Sequence, residues 1–288
     1  MADGLRNDAV LAALDEAIRG KVDNLYKHLA MLSGLPGTRM NVSVAQGFAT
    51  ECARKGRSAD DLLFKMALLD AEEAPGNTAS EFFPVCGVMG LGARAAGDSA
   101  LVEKAVPLFH EAAEDLRFRV REAVPYALAR IGGDALVHDV AGWTDGYFQA
   151  AAVLMGLADS RWLDTIDDHE AALARLDESF QLAKNAPRSA IRYPGHKALV
   201  EALSIAPAAM AMRFGVPVFA LLASWTSTEI PELRETIVKT IKATKLAGRH
   251  AADIQRVRKA LEDTTAKPRD PNSVVPGMRS RGKKHNKR

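Results

Sequence analysis

Residues 105–124, AVPLFHEAAEDLRFRVREAV, and residues 215–237, GVPVFALLASWTSTEIPELRETI, share a Val-Pro-x-Phe opening, a polar turn, and then Val or Leu followed by Arg-Glu. A second shared pattern, Gly-Asp followed by Ala-Leu-Val, opens AGDSALVEKAVPLF at 96–109 and GGDALVHDVAGW at 132–143, thirty-six residues apart. A unit of about forty residues holding two helices cannot bury its apolar face alone, so copies of it must stack on one another.

The units read as helical throughout. Apolar residues recur at helical spacing in nearly every segment from residue 8 to residue 262, and alternating strand patterns are hard to find. Val120, Val124, Leu128 and Ile131 share one helical face, as do Leu233, Ile237 and Ile241, with Lys242 and Lys245 opposite. Only 6% of the chain is aromatic, which favours helix over sheet, and 48% hydrophobic with 26% charged residues places it among globular proteins. Short polar or glycine stretches at 33–39, 54–58, 73–80, 95–100 and 131–135 are expected to separate the helices, with Asp98 and Asp134 as N-caps. The glycines of GVMGLGAR, Gly87, Gly90 and Gly92, follow no strand and lack the Lys-Ser/Thr of a phosphate loop, so close helix packing is their expected role.

The stretch Val106-Pro107-Leu108-Phe109, then Asp115 in the turn, Val120-Arg121 on the second helix and Leu128-Ala129-Arg130-Ile131-Gly132 at its end resembles a HEAT repeat. In that armadillo-like family a proline bends the first helix, an aspartate caps the turn, and an arginine on the second helix ties one repeat to the next. Pro107, Asp115 and Arg121 occupy those places, and Pro217, Glu229 and Arg234 do so in the later copy, with a longer turn. Degenerate units fit near 21–55, 58–95 and 134–158. The resemblance implies an all-α, right-handed superhelix of stacked antiparallel helix pairs over residues 1–263, and a binding scaffold as the function. Residues 159–195 do not look like the repeat and are read as an insertion or a junction.

Charge is unevenly placed. Residues 264–288 hold eight Lys or Arg and one Asp, while residues 1–263 carry a net −5. That terminal segment, with three prolines and almost no large apolar residue, is expected to be disordered. The N-terminus has no uninterrupted apolar stretch of the secretory kind, and no run of about eighteen apolar residues occurs, so neither export nor a membrane span is expected. Two cysteines, Cys52 and Cys86, fit buried thiols in a reducing cytoplasm.

No motif fixes a reaction, a cofactor or a metal. Asp164, Asp167, Asp168, His169 and Glu170 have metal-ligand residue types, but Asp167 with Glu170 three positions on reads as a helix-start capping box. A basic stripe of Lys239, Lys242, Lys245 and Arg249, continued by Arg279, Arg281, Lys283, Lys284, Lys287 and Arg288, would suit RNA or DNA phosphates. Arg117 and Arg119, in a turn, are expected to be free to meet a partner, and Arg121 to be structural. Pro125 removes the amide that would bond the Arg121 carbonyl, so a kink is expected there.

The main reading is a non-enzymatic scaffold that binds an unidentified protein, and RNA or DNA through its basic C-terminal region. One alternative is a purely protein-binding module. Another is an enzyme: alkylpurine DNA glycosylases built from HEAT-like repeats line a concave surface with tryptophans and one aspartate, and Trp143, Trp162 and Trp225 each have an acid close behind. In that case Asp145 or Asp164 would stabilise the cationic sugar.

Overall fold

The computed structural model describes residues 8–264, and the regular elements among them are helices. In chain order the α-helices are α1 (Asp8–Ile18), α2 (Asp23–Leu32), α3 (Val42–Lys55), α4 (Asp60–Ala67), α5 (Phe82–Ala95), α6 (Ser99–Ala112), α7 (Phe118–Ile131) and α8 (Gly133–Asp139). They continue as α9 (Tyr147–Leu157), α10 (Ser160–Leu163), α11 (His169–Lys184), α12 (Pro194–Phe214), α13 (Val216–Ser224), α14 (Pro231–Ile241), α15 (Thr244–Ala247) and α16 (Ala251–Asp263). The segment expected to be disordered lies, Thr264 apart, outside the described residues.

The helices pack as a stack. α3, α5, α7, α9, α12 and α14 form a central row in which each helix lies against the next. Around the row, α4 lies on α5, α6 on α5 and α7, α11 on α9 and α12, α13 on α12, and α16 on α13 and α14. One apolar core runs the length of this arrangement, from Val10 to Leu261. Residues 159–195 supply α10 and α11, and α11 packs against α8 and α13 as well as the central row, so this stretch is built into the stack.

The sequence of α5, FFPVCGVMGLGARA, shows why the row is tight. Almost every one of its residues is buried, as a helix apolar on all sides must be. A methyl group added at Gly87 would stand 2.3 Å from the Ala67 backbone nitrogen, and one at Gly92 would stand 2.4 Å from the Ala127 Cα. Both glycines therefore set the approach of α5 to its neighbours, in keeping with their expected packing role. Cys52 and Cys86 lie in the same interior, where burial pushes both thiols well up from their ordinary range and keeps them unreactive.

Prolines sit inside three helices, Pro107 in α6, Pro125 in α7 and Pro207 in α12, and each helix continues through its proline. Each forfeits a backbone hydrogen bond that tertiary packing has to offset. Buried side chains such as Phe82, Phe109 and Trp162 supply that packing, each contributing about 1.5–3 kcal/mol.

Local capping corrects the sequence reading in part. Asp98 caps α6 as expected, accepting from the Leu101 amide at 3.2 Å. Asp134 does not cap α8. Its Oδ1 instead accepts from the Asp167 and Asp168 amides, both at 3.0 Å, tying the start of α11 back to α8. The N-cap of α11 is Asp168, one residue later than the expected Asp167, and it accepts from Ala171 at 3.0 Å. In the later repeat copy Glu229 is exposed, and the turn is held by Thr228, whose hydroxyl accepts from the Ile230 amide at 3.4 Å.

Candidate functional site

Where α7, α9 and α12 run side by side, a groove of about 660 Å³ opens between them. α7 lines it with Phe118, Arg121, Glu122, Pro125 and Tyr126. α9 contributes Phe148, Ala151, Ala152 and Met155, with Ala158 and Asp159 just beyond its end. α12 contributes Pro194, Lys197, Ala198, Glu201, Ala202 and Ile205. In each helix these residues recur three or four positions apart, so each presents one stripe to the groove. Alanines form much of the floor, and larger side chains stand along the walls.

The starts of the three helices meet in a chain of rings around a cation. The Arg121 guanidinium lies 4.4 Å from the Phe148 ring centroid and 5.7 Å from that of Phe118. Phe148 in turn meets Tyr193 edge to face at 5.8 Å. Nη1 of Arg121 donates to the Asp115 carbonyl of its own turn. Further along, Arg161 lies over the Tyr126 ring at 5.9 Å and pairs with Asp159, whose oxygens accept from Nε at 3.0 Å and from Nη2 at 2.5 Å. These bonds hold the Asp159 carboxyl below the usual carboxylate range.

The remaining charges of the groove are balanced. Arg121, Lys197, Glu122 and Glu201 line it, and none of the four forms a salt bridge with a described residue. Glu122 is exposed along one side, and the partial burial of its carboxyl against the groove wall pushes it above its ordinary value, against the pull of Arg119 and Arg121.

The two turn arginines expected to face a partner are instead committed inside the molecule. Arg117 is buried and donates to the Asp115 carboxylate, to the Asp70 carbonyl at 2.8 Å and to the Ala74 carbonyl at 3.1 Å. Arg119 bonds the buried carboxylate of Glu81 at 3.1 Å and the Gly37 carbonyl at 2.9 Å. Both clamp the turn before α7 onto the loops at 33–41 and 70–81. The arginine that reaches the groove is Arg121. It also links adjacent units, through its position over Phe148.

The tryptophan and aspartate arrangement required for glycosylase chemistry is not formed. Trp143, Trp162 and Trp225 are only 5%, 0% and 6% exposed. Trp162 donates to the Gly133 carbonyl at 3.1 Å, and Trp225 donates to Asp177 at 2.7 Å while stacking on Phe180. Asp145 lies in a 3-10 turn paired with His110 at 3.0 Å, and Asp164 is exposed at the end of α10. Indoles of this kind serve the core, as apolar packing favours, and leave no tryptophan-lined cleft for either aspartate.

The basic stripe is broken as well. α14 ends at Ile241, so Lys239 is on α14, Lys242 at its C-cap, Lys245 on α15 and Arg249 in the turn before α16. Lys239 pairs with Glu235 at 3.2 Å, while Lys242, Lys245 and Arg249 are exposed. Arg279, Arg281, Lys283, Lys284, Lys287 and Arg288 lie outside the described residues. Among the described residues no group of three or more His, Cys, Asp or Glu is placed to hold a metal ion. No described helix is long and apolar enough to cross a membrane.

Sequence reasoning missed the groove because it looked for motifs within single helices, whereas the lining is shared by three. A signal was present in α12, where the small residues Ala198 and Ala202 follow Lys197 and Glu201 at helical spacing. The chain matches no protein-family model and no curated protein.

Proposed function

We propose that the protein is a binding scaffold of the HEAT-like α-solenoid class, and that the groove across α7, α9 and α12 receives a polypeptide segment of a partner. The observation that carries this reading is the pairing of an apolar alanine floor with two cations and two anions that have no salt-bridge partner among the described residues. A nucleic-acid backbone calls for a surplus of positive charge, which this lining lacks. A peptide offers apolar side chains and charges of both signs. Phe118 (58%) and Ile205 (42%) of the lining stay exposed, and Tyr193 (44%) adds an exposed ring beside them, which favours an occupant larger than a small molecule.

The test is selection of a displayed library of random twelve-residue peptides on the full-length protein. Peptides should be enriched, and Ala198→Trp, which fills the floor, should abolish their binding. Failure to enrich peptides, or enrichment indifferent to Ala198→Trp, counts against the groove.

Exposure of Lys242, Lys245 and Arg249 supports a second proposed contact, salt-sensitive binding of RNA or DNA at the C-terminal end of the stack. Reversing these three charges in the full-length chain should weaken filter binding to both nucleic acids. Unchanged binding would remove this contact from the account.

A further inference from the structure

We propose that Arg121 determines which polypeptide the groove accepts, by taking a carboxylate, an Asp or Glu side chain beside a large apolar residue, on its guanidinium fork. This rests on the groove reading above and specifies the chemistry of its occupant.

Five neighbouring arginines show what Arg121 lacks. Arg94 holds Asp60 and Asp98, Arg117 holds Asp115, Arg119 holds Glu81, Arg161 holds Asp159 and Arg175 holds Glu178. Arg121 holds no carboxylate. The one hydrogen bond its guanidinium makes to a described residue is from Nη1 to the Asp115 carbonyl, which leaves Nε and Nη2 without a described acceptor.

The repeat supplies an independent comparison. Arg234 occupies the position of Arg121 in the later copy, and its Nη1 likewise bonds the carbonyl of its own turn, that of Thr226. There Nη2 continues to the Leu261 carbonyl of the following unit at 2.9 Å. At Arg121 the following unit presents the Phe148 ring instead of an oxygen, so Nη2 has no acceptor among the described residues and is left for one on a partner. Stacking on Phe148 and the bond to Asp115 fix the guanidinium plane before any partner arrives. An arginine held in that way loses little freedom on binding a planar carboxylate and can meet it with two parallel hydrogen bonds.

Lys197 adds positive charge within the same groove, and Glu122 and Glu201 limit how much negative charge it accepts. The accepted segment therefore carries a single acid among apolar residues, with a basic residue near enough to meet Glu201. A run of acids is disfavoured.

Selection of the same random twelve-residue library on the full-length protein and on Arg121→Glu, Arg121→Lys and Lys197→Glu variants tests this, each variant being checked for native helicity. Wild-type binders should share an Asp or Glu beside a large apolar residue, and replacing that acid by its amide should weaken Kd about tenfold or more. Arg121→Lys should retain part of the preference, Arg121→Glu should replace the acid by Lys or Arg, and the exposed Lys197→Glu should weaken acidic binders without a folding defect. Peptides that Ala198→Trp displaces but that ignore both the acid-to-amide change and Arg121→Glu would overturn the inference and leave the groove standing. No enrichment, or binders that Ala198→Trp does not displace, would overturn the groove reading and this inference with it.

Discussion

The guanidinium of Arg121, on α7, lies 4.4 Å from the centre of the Phe148 ring, on α9. This contact joins two consecutive helices of the central row and closes one end of the groove. Truncating either partner removes a cation–π contact, and Arg121→Ala also removes a hydrogen bond to a carbonyl. Arg121→Ala should lower stability by about 1–2 kcal/mol and Phe148→Leu by less, read from urea unfolding midpoints. If Arg121→Ala leaves the midpoint unchanged, the contact does not link the units.

Glu81 makes a sharper prediction because it is only 1% exposed. Its carboxylate accepts from the Asn77 amide at 2.7 Å, the Arg119 amide at 3.2 Å and the Arg119 guanidinium at 3.1 Å. Glu81→Ala leaves the Arg119 charge in a largely enclosed site and should cost about 3–5 kcal/mol. Lys239→Ala, which breaks an exposed pair with Glu235, should cost under about 1 kcal/mol. Similar losses in the two variants would show that the clamp before α7 is not structural.

Gly92→Ala tests the close packing of α5 on α7. The new methyl would stand 2.4 Å from the Ala127 Cα and 2.6 Å from its carbonyl oxygen, so two backbones have to separate. A loss of about 1–3 kcal/mol is expected, although alanine is the better helix former. Any gain in melting temperature would mean that α5 and α7 are not packed so tightly.

These positions also show what a single sequence can and cannot convey. The stacked all-helical fold was legible because apolar residues recur at helical spacing, and that spacing at 120, 124, 128 and 131 marked α7 as a core helix. The roles of the four arginines at 117–130 were not. Arg117 and Arg119 looked free because a polar turn usually faces water, but their partners Asp70, Ala74, Glu81 and Gly37 lie 38 to 82 residues away in sequence. Arg121 faces the groove only because Phe148 of another unit stands beside it. Likewise, the lysine stripe assumed one continuous helix, and the chain turns at Lys242 instead.

Asp159 gives the acid response a sign. Its carboxyl is depressed first by the hydrogen bond from Arg161, with burial opposing and the Arg161 amide adding to the depression. A depressed group stabilises the fold above its unfolded pKa of about 4, and that contribution is lost as pH falls through the folded value. Between pH 6 and pH 3 the wild type should therefore lose more thermal stability than Asp159→Asn, which lacks this titration. Parallel curves for the two proteins would remove Asp159 as a source of acid sensitivity.

Amide chemical shifts of the full-length protein, followed as the tightest library-selected peptide is added, report most directly on where a partner binds. The perturbed amides should cluster on the groove-facing stripes of α7, α9 and α12, around Arg121, Ala152, Lys197 and Ala198. Perturbation centred instead on α14 to α16 or on the flanking helices α6, α11 and α13, with the groove amides unmoved, would contradict the account.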